Sequence, residues 1–408
     1  MPTSAIHIPE YRMLIAGRFS FIMGLRMLGT LVAWWVYQIT KNPFAIGIIG
    51  LSEVIPAVGL ALYAGHVIDQ SEKRKLLLTG CTGYFVCVLA LAALANYTAF
   101  SGQTLPHFEY YIYATVFCTG VIRSFTGPTF HTLVGAIVPK ELLPNATAWN
   151  QGSWLSASVL GHAVGGFCIA LMGIENTLWV IAILVLVGIG FMYQIKPKPI
   201  ATNALQERKT WDSVVEGLRF VYKTKELLGA LVLDLFAVLF GGAVAMIPVF
   251  AKDILQVGAT GFGWLNAAAD VGAIASVAFL ALFPLKNKQG KILLLAIAGF
   301  GVCIITFGLS TWYWLSFAAL LLSGMLDGIS VVIRGTILQL YTPVHMRGRV
   351  MSVNSMFINS SNELGQFESG VAAKLLGVVP SVVVGGCLTI GVVITTWFKA
   401  PNLRNMKY

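Results

Sequence analysis

Two stretches decide how this chain folds: LWVIAILVLVGIGFM at Leu178–Met192 and ILLLAIAGFGVCIITFGL at Ile292–Leu309. Neither carries a charge, and each is apolar on every face rather than on one stripe. Such runs are solvated by lipid and satisfy their backbone polar groups within their own helix. The rest of the chain agrees. Of its 408 residues 57% are hydrophobic and only 11% charged, against about 25% charged in soluble domains. That composition leaves too little polar surface for a protein facing water all round, and a membrane protein is expected.

A span needs roughly 20 apolar residues, so a chain of this length supplies about twelve. Hydropathy places them near 11–39, 44–67, 75–97, 108–137, 144–172 and 175–194, then 227–251, 260–283, 290–309, 312–341, 348–376 and 379–399. The first run contains Arg18 and Arg26 and lacks a small-residue cleavage site, so it reads as a span and not a signal peptide. Between the two sets lies a polar stretch, Lys196 to Glu226, with Pro197, Pro199, Arg208, Lys209, Arg219, Lys223 and Lys225. Within it Trp211, Val214, Val215, Leu218 and Val221 recur at helical spacing, which predicts an amphipathic helix along the inner membrane face. The alternative for this stretch is a disordered tether. The organisation expected is an N-terminal bundle over 1–194, a cytoplasmic linker over 195–226 and a C-terminal bundle over 227–408.

The net charge of +10 does not point to nucleic acid, because the cations sit in clusters between spans. Lys73-Arg74-Lys75, Lys140, the linker, Lys286, Lys288, Lys291, Arg347, Arg349 and the terminal Lys399, Arg404 and Lys407 fall on one side; Lys41 and Lys252 fall on the other. Retention of basic loops inside the cell places both termini in the cytoplasm. The six cysteines lie inside apolar runs without a CxxC pair, so they read as small buried hydrophobes and not as metal ligands.

An internal repeat divides the chain. Pro139-Lys-Glu-Leu-Leu-Pro-Asn-Ala-Thr-Ala-Trp-Asn150 aligns with Pro343-Val-His-Met-Arg-Gly-Arg-Val-Met-Ser-Val-Asn354, and at the same offset Gly161, Gly166 and Gly173 meet Gly365, Gly370 and Gly377. Duplication of a six-helix unit, with a site between the copies at mid-membrane, is the expected consequence.

Several motifs carry charge or glycine where a span ends or bends. Gly65-His-Val-Ile-Asp69-Gln-Ser-Glu-Lys73-Arg74-Lys75 lies at the exit of the second span; its aspartate can cap a helix or pair with a cation. Arg123-Ser-Phe-Thr-Gly127-Pro128 puts an arginine in the fourth span, where insertion costs about 2.5–3.5 kcal/mol, so it faces a cavity or carboxylate or snorkels from the outer end. Gly161-His162-Ala-Val-Gly165-Gly166 supplies small residues for close helix approach, and His162 reads as a titratable group or a neutral packing residue. Asn359, Asn362, Glu363 and Gln366 fall at i, i+3, i+4 and i+7, one polar stripe that is expected to face a central cavity.

These motifs resemble the major facilitator superfamily. The Gly65–Lys75 segment is similar to its signature loop, which implies a latch stabilising the outward-facing state; the turn at Pro284–Lys291 lacks the aspartate. Arg123 resembles the family's fourth-helix arginine, associated with proton coupling. Gly161–Gly166 resembles its antiporter signature, with His162 in place of proline. Arg334-Gly-Thr-Ile-Leu-Gln, Arg347-Gly-Arg349-Val and the Asn359–Gly370 segment, taken with Arg123–Pro128 and Pro144–Asn150, resemble the enterobactin-exporter-like branch over most of the chain.

The fold expected is an all-α membrane protein with about twelve transmembrane helices in two six-helix, pseudo-symmetric halves. The function expected is secondary active transport, as proton-coupled efflux of a small, siderophore- or drug-like organic solute by alternating access, in a bacterial inner membrane. The alternatives are an importer or lipid flippase of the same fold, or a membrane sensor without flux. Glu363 leads the candidates for proton exchange, with Glu368 next; a structural ion pair with Arg334 or Lys374 is the other reading of Glu363. Other intramembrane charges are Arg18, Arg26, Glu53, Asp234, Asp270 and Asp327. Asp327 and Arg334, two turns apart on one face, are expected to share a network. Arginines at membrane depth suit an anionic solute. No nucleotide-binding loop, metal-ligand spacing or catalytic triad is present in the sequence, so an ion gradient is the expected energy source, with no cofactor, no enzymatic activity and a monomeric state.

Overall fold

The computed structural model describes residues 4–101, 107–198, 210–283, 288–343 and 346–406, and among them every regular element is helical. In chain order the α-helices are α1 (Pro9–Thr40), α2 (Pro43–Gly59), α3 (Ala61–Gln70), α4 (Lys73–Ser101), α5 (Phe108–Ile137), α6 (Leu143–Tyr193), α7 (Thr210–Lys223), α8 (Lys225–Phe240), α9 (Ile247–Val249), α10 (Gly258–Leu282), α11 (Gln289–Leu309), α12 (Tyr313–Tyr341), α13 (Arg347–Leu376), α14 (Val378–Lys399) and α15 (Pro401–Arg404). Eight helical segments in the described residues are long and apolar enough to cross a membrane. Thus the chain is a multi-pass helical membrane protein. Two further long helices, α5 and α13, carry more polar residues, among them Arg123 on α5 and Glu363, Gln366, Glu368 and Lys374 on α13.

Local chemistry sets many of the ends. The Asn42 side chain accepts from the Phe44 amide at 3.0 Å, and Pro43 opens α2, where its missing N–H costs nothing. Glu72 accepts from the amides of Arg74 and Lys75 at 2.9 and 2.8 Å and so caps α4. Inside the spans, hydroxyls bond the preceding turn: Thr30 to the Arg26 carbonyl, Thr129 to Phe125 and Thr177 to Gly173. That satisfies them without water.

Two departures from the expected spans have identifiable causes. The run expected over 44–67 divides at Leu60, four residues after Pro56, into α2 and α3. The run expected over 227–251 stops at Phe240. Gly241-Gly242 follows, then a 3-10 turn over Ala243–Met246, α9 with Pro248, and a π-helical turn over Phe250–Ile254. Adjacent glycines and a proline remove the side chains and the donor that would keep one rod continuous.

The chain forms two compact units, Met1–Thr40 with Ile55–Glu207 and Lys41–Val54 with Arg208–Tyr408. In the first, α1 lies along α6. A Cβ on Gly17 would sit 3.0 Å from the Gly188 carbonyl oxygen, and one on Gly24 3.1 Å from a Val185 methyl, so small residues set the approach. Phe21 of α1 meets Tyr84 of α4 edge-on at 5.2 Å and Phe130 of α5 at 6.1 Å. The second unit has a core of Leu227 and Leu231 on α8, Leu293 on α11, Ile333 on α12 and Val353 on α13. The start of α2 belongs to it because α2 lies on α13: a Cβ on Gly47 would be 3.1 Å from Gly370 Cα.

Both units contain a glycine in a backbone conformation that other residues avoid. Gly173 (φ 77°, ψ 179°) interrupts α6, and Gly377 (φ 90°, ψ 160°) separates α13 from α14.

Candidate functional site

The densest buried charge lies in the second unit. Asp234 stands on α8 and Arg334 on α12, both buried, and Arg334 Nη1 pairs with Asp234 Oδ2. Asp327, two turns earlier on α12, puts Oδ1 3.9 Å from Arg334 Nη2. Spacing places Asp327 and Arg334 on one face of α12; the fold adds Asp234 from a helix a hundred residues away. One guanidinium between two carboxylates carries a formal charge of −1, and one proton neutralises it. That makes the cluster able to hold a proton or a cation at membrane depth, where an unpaired charge is costly.

Glu363 on α13 is buried, and its Oε2 accepts from Gln366 Nε2 at 3.4 Å. Arg334, offered as its ion-pair partner, bonds Asp234 and Asp327 instead. Lys374, the other, rests its ammonium 4.6 Å from the Phe44 ring centroid. Beside Glu363, a Cβ on Gly50 would lie 2.8 Å from the Glu363 carbonyl oxygen, so α2 presses on α13 at this level. The polar stripe is not uniform: Asn362 is exposed, Gln366 half-buried and Glu363 buried. Glu368 stands apart from them, half-buried in an apolar groove of about 540 Å³ with Leu239, Leu364 and Phe367. Glu53 on α2 and Asp270 on α10 have partners of their own and lie outside the Asp234–Arg334–Asp327 cluster.

In the first unit, Arg18 is buried and donates to Asn150 Oδ1 on α6, with its guanidinium 5.4 Å from the Phe130 ring centroid. Tyr11, two turns earlier on α1, donates to the Ala146 carbonyl at 2.6 Å. Arg26 lies over Trp154 at 5.1 Å. Thr30 Oγ1 and His162 Nδ1 are hydrogen-bonded at 2.8 Å, so His162 is a partnered residue between α1 and α6. Its neighbour Gly161 has a packing role: a Cβ there would be 2.8 Å from the Met23 carbonyl oxygen, and one on Gly165 would be 3.2 Å from Met27 Cα. Gly166 is buried in the same helix, and Arg123 is half-buried on α5 with interactions of its own.

The Gly65–Lys75 segment is bent by α3 ending at Gln70. Lys73 Nζ folds back to the carbonyls of Ile68 at 2.5 Å and Ser71 at 3.1 Å, closing the end of α3. Arg74 donates to the Tyr193 carbonyl at 2.7 Å and lies over that ring. Gly65 is half-buried on α3 with open space around it. The side chains of Asp69 and Asn359, and that of Arg347, lie outside the described residues, as do 199–209 of the linker, including Arg208 and Lys209, and 284–287 of the matching turn.

Sequence reasoning missed two residues. Glu72 caps α4 and also accepts from the Lys198 amide at 3.3 Å; an acid just before a helix was the available signal. Asn150, inside the repeat, is the partner of Arg18, and nothing in the linear pattern pairs them. Among the described residues no group of three His, Cys, Asp or Glu side chains is placed to hold a metal ion.

Long apolar helices in two units, with a buried ion pair and close helix-on-helix glycine contacts, fit a membrane transporter. A family model described as transmembrane secretion effector matches residues 6–407, and the chain belongs to that family. The enterobactin exporter EntS of Shigella flexneri is 25% identical over 391 residues, covering 95% of this chain and 91% of that protein. EntS of Escherichia coli O1:K1 is 25% identical over 395 residues, with the same coverage of both. Among solved structures, a POT family transporter in complex with 5-aminolevulinic acid superimposes with a TM-score of 0.75 at 10% identity, covering 96% of each chain. A mutant of the nucleoside transporter NupG superimposes at 0.71 with 13% identity, covering 96% of this chain and 99% of that one. At such identity the structures speak for the fold alone. The family and these relatives make the protein a transporter of a small molecule, not an enzyme.

Proposed function

We propose that the protein is a secondary active exporter of a siderophore- or drug-like organic solute, driven by protons and working by alternating access in a bacterial inner membrane. The observation that carries this is Arg334 held between Asp234 and Asp327 on apolar helices. A buried cation shared by two carboxylates has two stable charge states one proton apart, and breaking it open exposes a group that must find another partner. A solute or proton that takes a carboxylate therefore shifts the helices that hold the cluster. The similarity to proteins named enterobactin exporters supports efflux and a siderophore-like cargo. Fold likeness and the internal repeat support about twelve spans in two related halves with a shared site. Clustered Lys and Arg support cytoplasmic termini. The turn that carries Asp69, Lys73 and Arg74 would hold one gate, and the protein would act as a monomer.

The test is flux from proteoliposomes with an imposed pH gradient, using siderophore and drug candidates. Efflux that collapses with a protonophore and is lost in Asp234→Asn supports the proposal. Gradient-independent flux, or flux unchanged in Asp234→Asn and Asp327→Asn, overturns it.

A further inference from the structure

On the first unit, α1 and the first part of α6 leave a groove of about 710 Å³ between them, with Phe191 from the end of α6 at its edge. That volume is in the range of small-molecule sites, about 300–1,000 Å³. Its α1 wall is the stripe of Arg12, Ile15, Ala16, Phe19 and Ser20. The opposite side of α1 carries Leu14, Arg18 and Phe21, which point into the unit toward Phe130 and Tyr84. The groove thus opens away from the interior of its own unit. Its walls are chiefly apolar, a surface that suits a hydrocarbon chain.

The polar groups of the groove are donors. The acid nearest Arg12 in sequence, Glu10, is already paired with Lys198 at 2.5 Å. Arg12 is exposed, and among the described residues its guanidinium has no partner. Asn145, also in the groove, has its side-chain oxygen occupied by Ser4 Oγ at 2.8 Å and the Ala5 amide at 2.9 Å, which leaves its N–H groups to donate. Ser153 Oγ in the same wall is buried and makes no hydrogen bond. A fixed cation, free amide donors and an apolar trough of membrane depth match one ligand class, an anion with a hydrocarbon tail. We propose that this groove binds one anionic phospholipid, with its phosphate at Arg12 and Asn145 and an acyl chain along Ile15, Phe19 and Trp149. Trp149 is exposed on the rim and suits the headgroup level, where aromatic rings anchor.

The full-length protein is purified in detergent, stripped of lipid, and titrated with phosphatidylglycerol or phosphatidylcholine. Binding is read by native mass spectrometry and by thermal unfolding. Phosphatidylglycerol is expected to bind as one retained molecule and to raise the unfolding temperature more than phosphatidylcholine does. Arg12→Gln is expected to weaken phosphatidylglycerol binding by roughly fivefold, and phosphatidylcholine binding by less, because its choline offsets the phosphate charge. Gly152→Leu fills the groove, since a Cβ at Gly152 meets open space, and is expected to lower retention of both lipids. Exposed Lys75→Gln, a comparable loss of charge elsewhere on the unit, is expected to change neither. Equal affinity for the two lipids, binding unchanged in Arg12→Gln or in Gly152→Leu, or an equal loss in Lys75→Gln overturns the proposal. So does stabilisation by glycerol phosphate alone, which has no chain to place.

Discussion

Asp234 of α8 and Arg334 of α12, a hundred residues apart, meet in a buried ion pair inside the second unit, and Asp327 stands 3.9 Å from the same guanidinium. Removing one member of a buried pair and leaving the other alone costs about 3–5 kcal/mol. Asp234→Asn leaves Arg334 the more distant Asp327, so it is expected to lower unfolding stability by somewhat less. Replacing all three charges, as Asp234→Leu with Arg334→Met and Asp327→Asn, is expected to recover most of the loss, because no charge is then left without a partner. Thermal unfolding of the single and triple variants checks this. Under the proposed function the triple variant is stable yet fails to couple flux to a pH gradient, which separates folding from transport.

Two of the three positive-φ glycines, Gly173 and Gly377, are tested by alanine. Gly173 and Gly377 lie in a region of backbone space that is essentially restricted to glycine, and another residue there costs about 1–3 kcal/mol. Gly173→Ala and Gly377→Ala are each expected to destabilise by that amount. The sites lie in different compact units, so the effects of the double variant should add. Chemical unfolding in detergent reads all three. A neutral Gly377→Ala would mean that α13 and α14 do not need that angle.

Much of the helix plan was legible because an apolar rod in lipid announces itself residue by residue. The runs expected over 108–137 and 290–309 correspond to α5 at Phe108–Ile137 and α11 at Gln289–Leu309. The aligned Gly173 and Gly377 were visible as a repeat, though their angle was not. Breaks that hydropathy ignores were missed: Gly241-Gly242 is as apolar as its surroundings, yet it ends α8. Site geometry was the least legible. Spacing links Asp327 with Arg334 on a single helix, but Asp234 joins them only through the packing of α8 on α12, and Asn150 joins Arg18 only through that of α6 on α1. Glu363 was read as able to pair with Arg334, which is taken by Asp234. A one-dimensional pattern gives the face of a side chain but not the helix opposite.

Within the first unit, glycines of one sequence class should behave differently. A Cβ at Gly161 would be 2.8 Å from the Met23 carbonyl oxygen, whereas one at Gly29, within α1, meets nothing within 4 Å. Gly161→Ala is expected to push α1 from α6 and cost about 1–3 kcal/mol. Gly29→Ala is expected to be neutral or slightly stabilising, by up to about 1 kcal/mol, since alanine favours the helix. Comparing their unfolding temperatures side by side gives the sign. Equal loss in both would show that helical glycine here serves flexibility and not contact.

Among the described residues, the amphipathic helix α7 is joined to α13 by the ion pair of Glu216 Oε2 with Arg349 Nη1 at 2.6 Å, over a glycine contact in which a Cβ on Gly217 would lie 3.1 Å from the Arg349 carbonyl oxygen. Glu216 is half exposed, so solvent and salt screen the pair and its contribution is below about 1 kcal/mol. The backbone contact at Gly217 is dry and tolerates no side chain without displacement. Glu216→Ala is therefore expected to leave the unfolding temperature nearly unchanged and to raise amide exchange in Thr210–Lys223 modestly, more at low salt than at high. Gly217→Val is expected to raise exchange over the whole of α7 at any salt. Hydrogen exchange of the two variants at two ionic strengths separates charge from contact. If Glu216→Ala frees α7 as completely as Gly217→Val does, the charge pair, and not the close approach of backbones, holds the helix to α13.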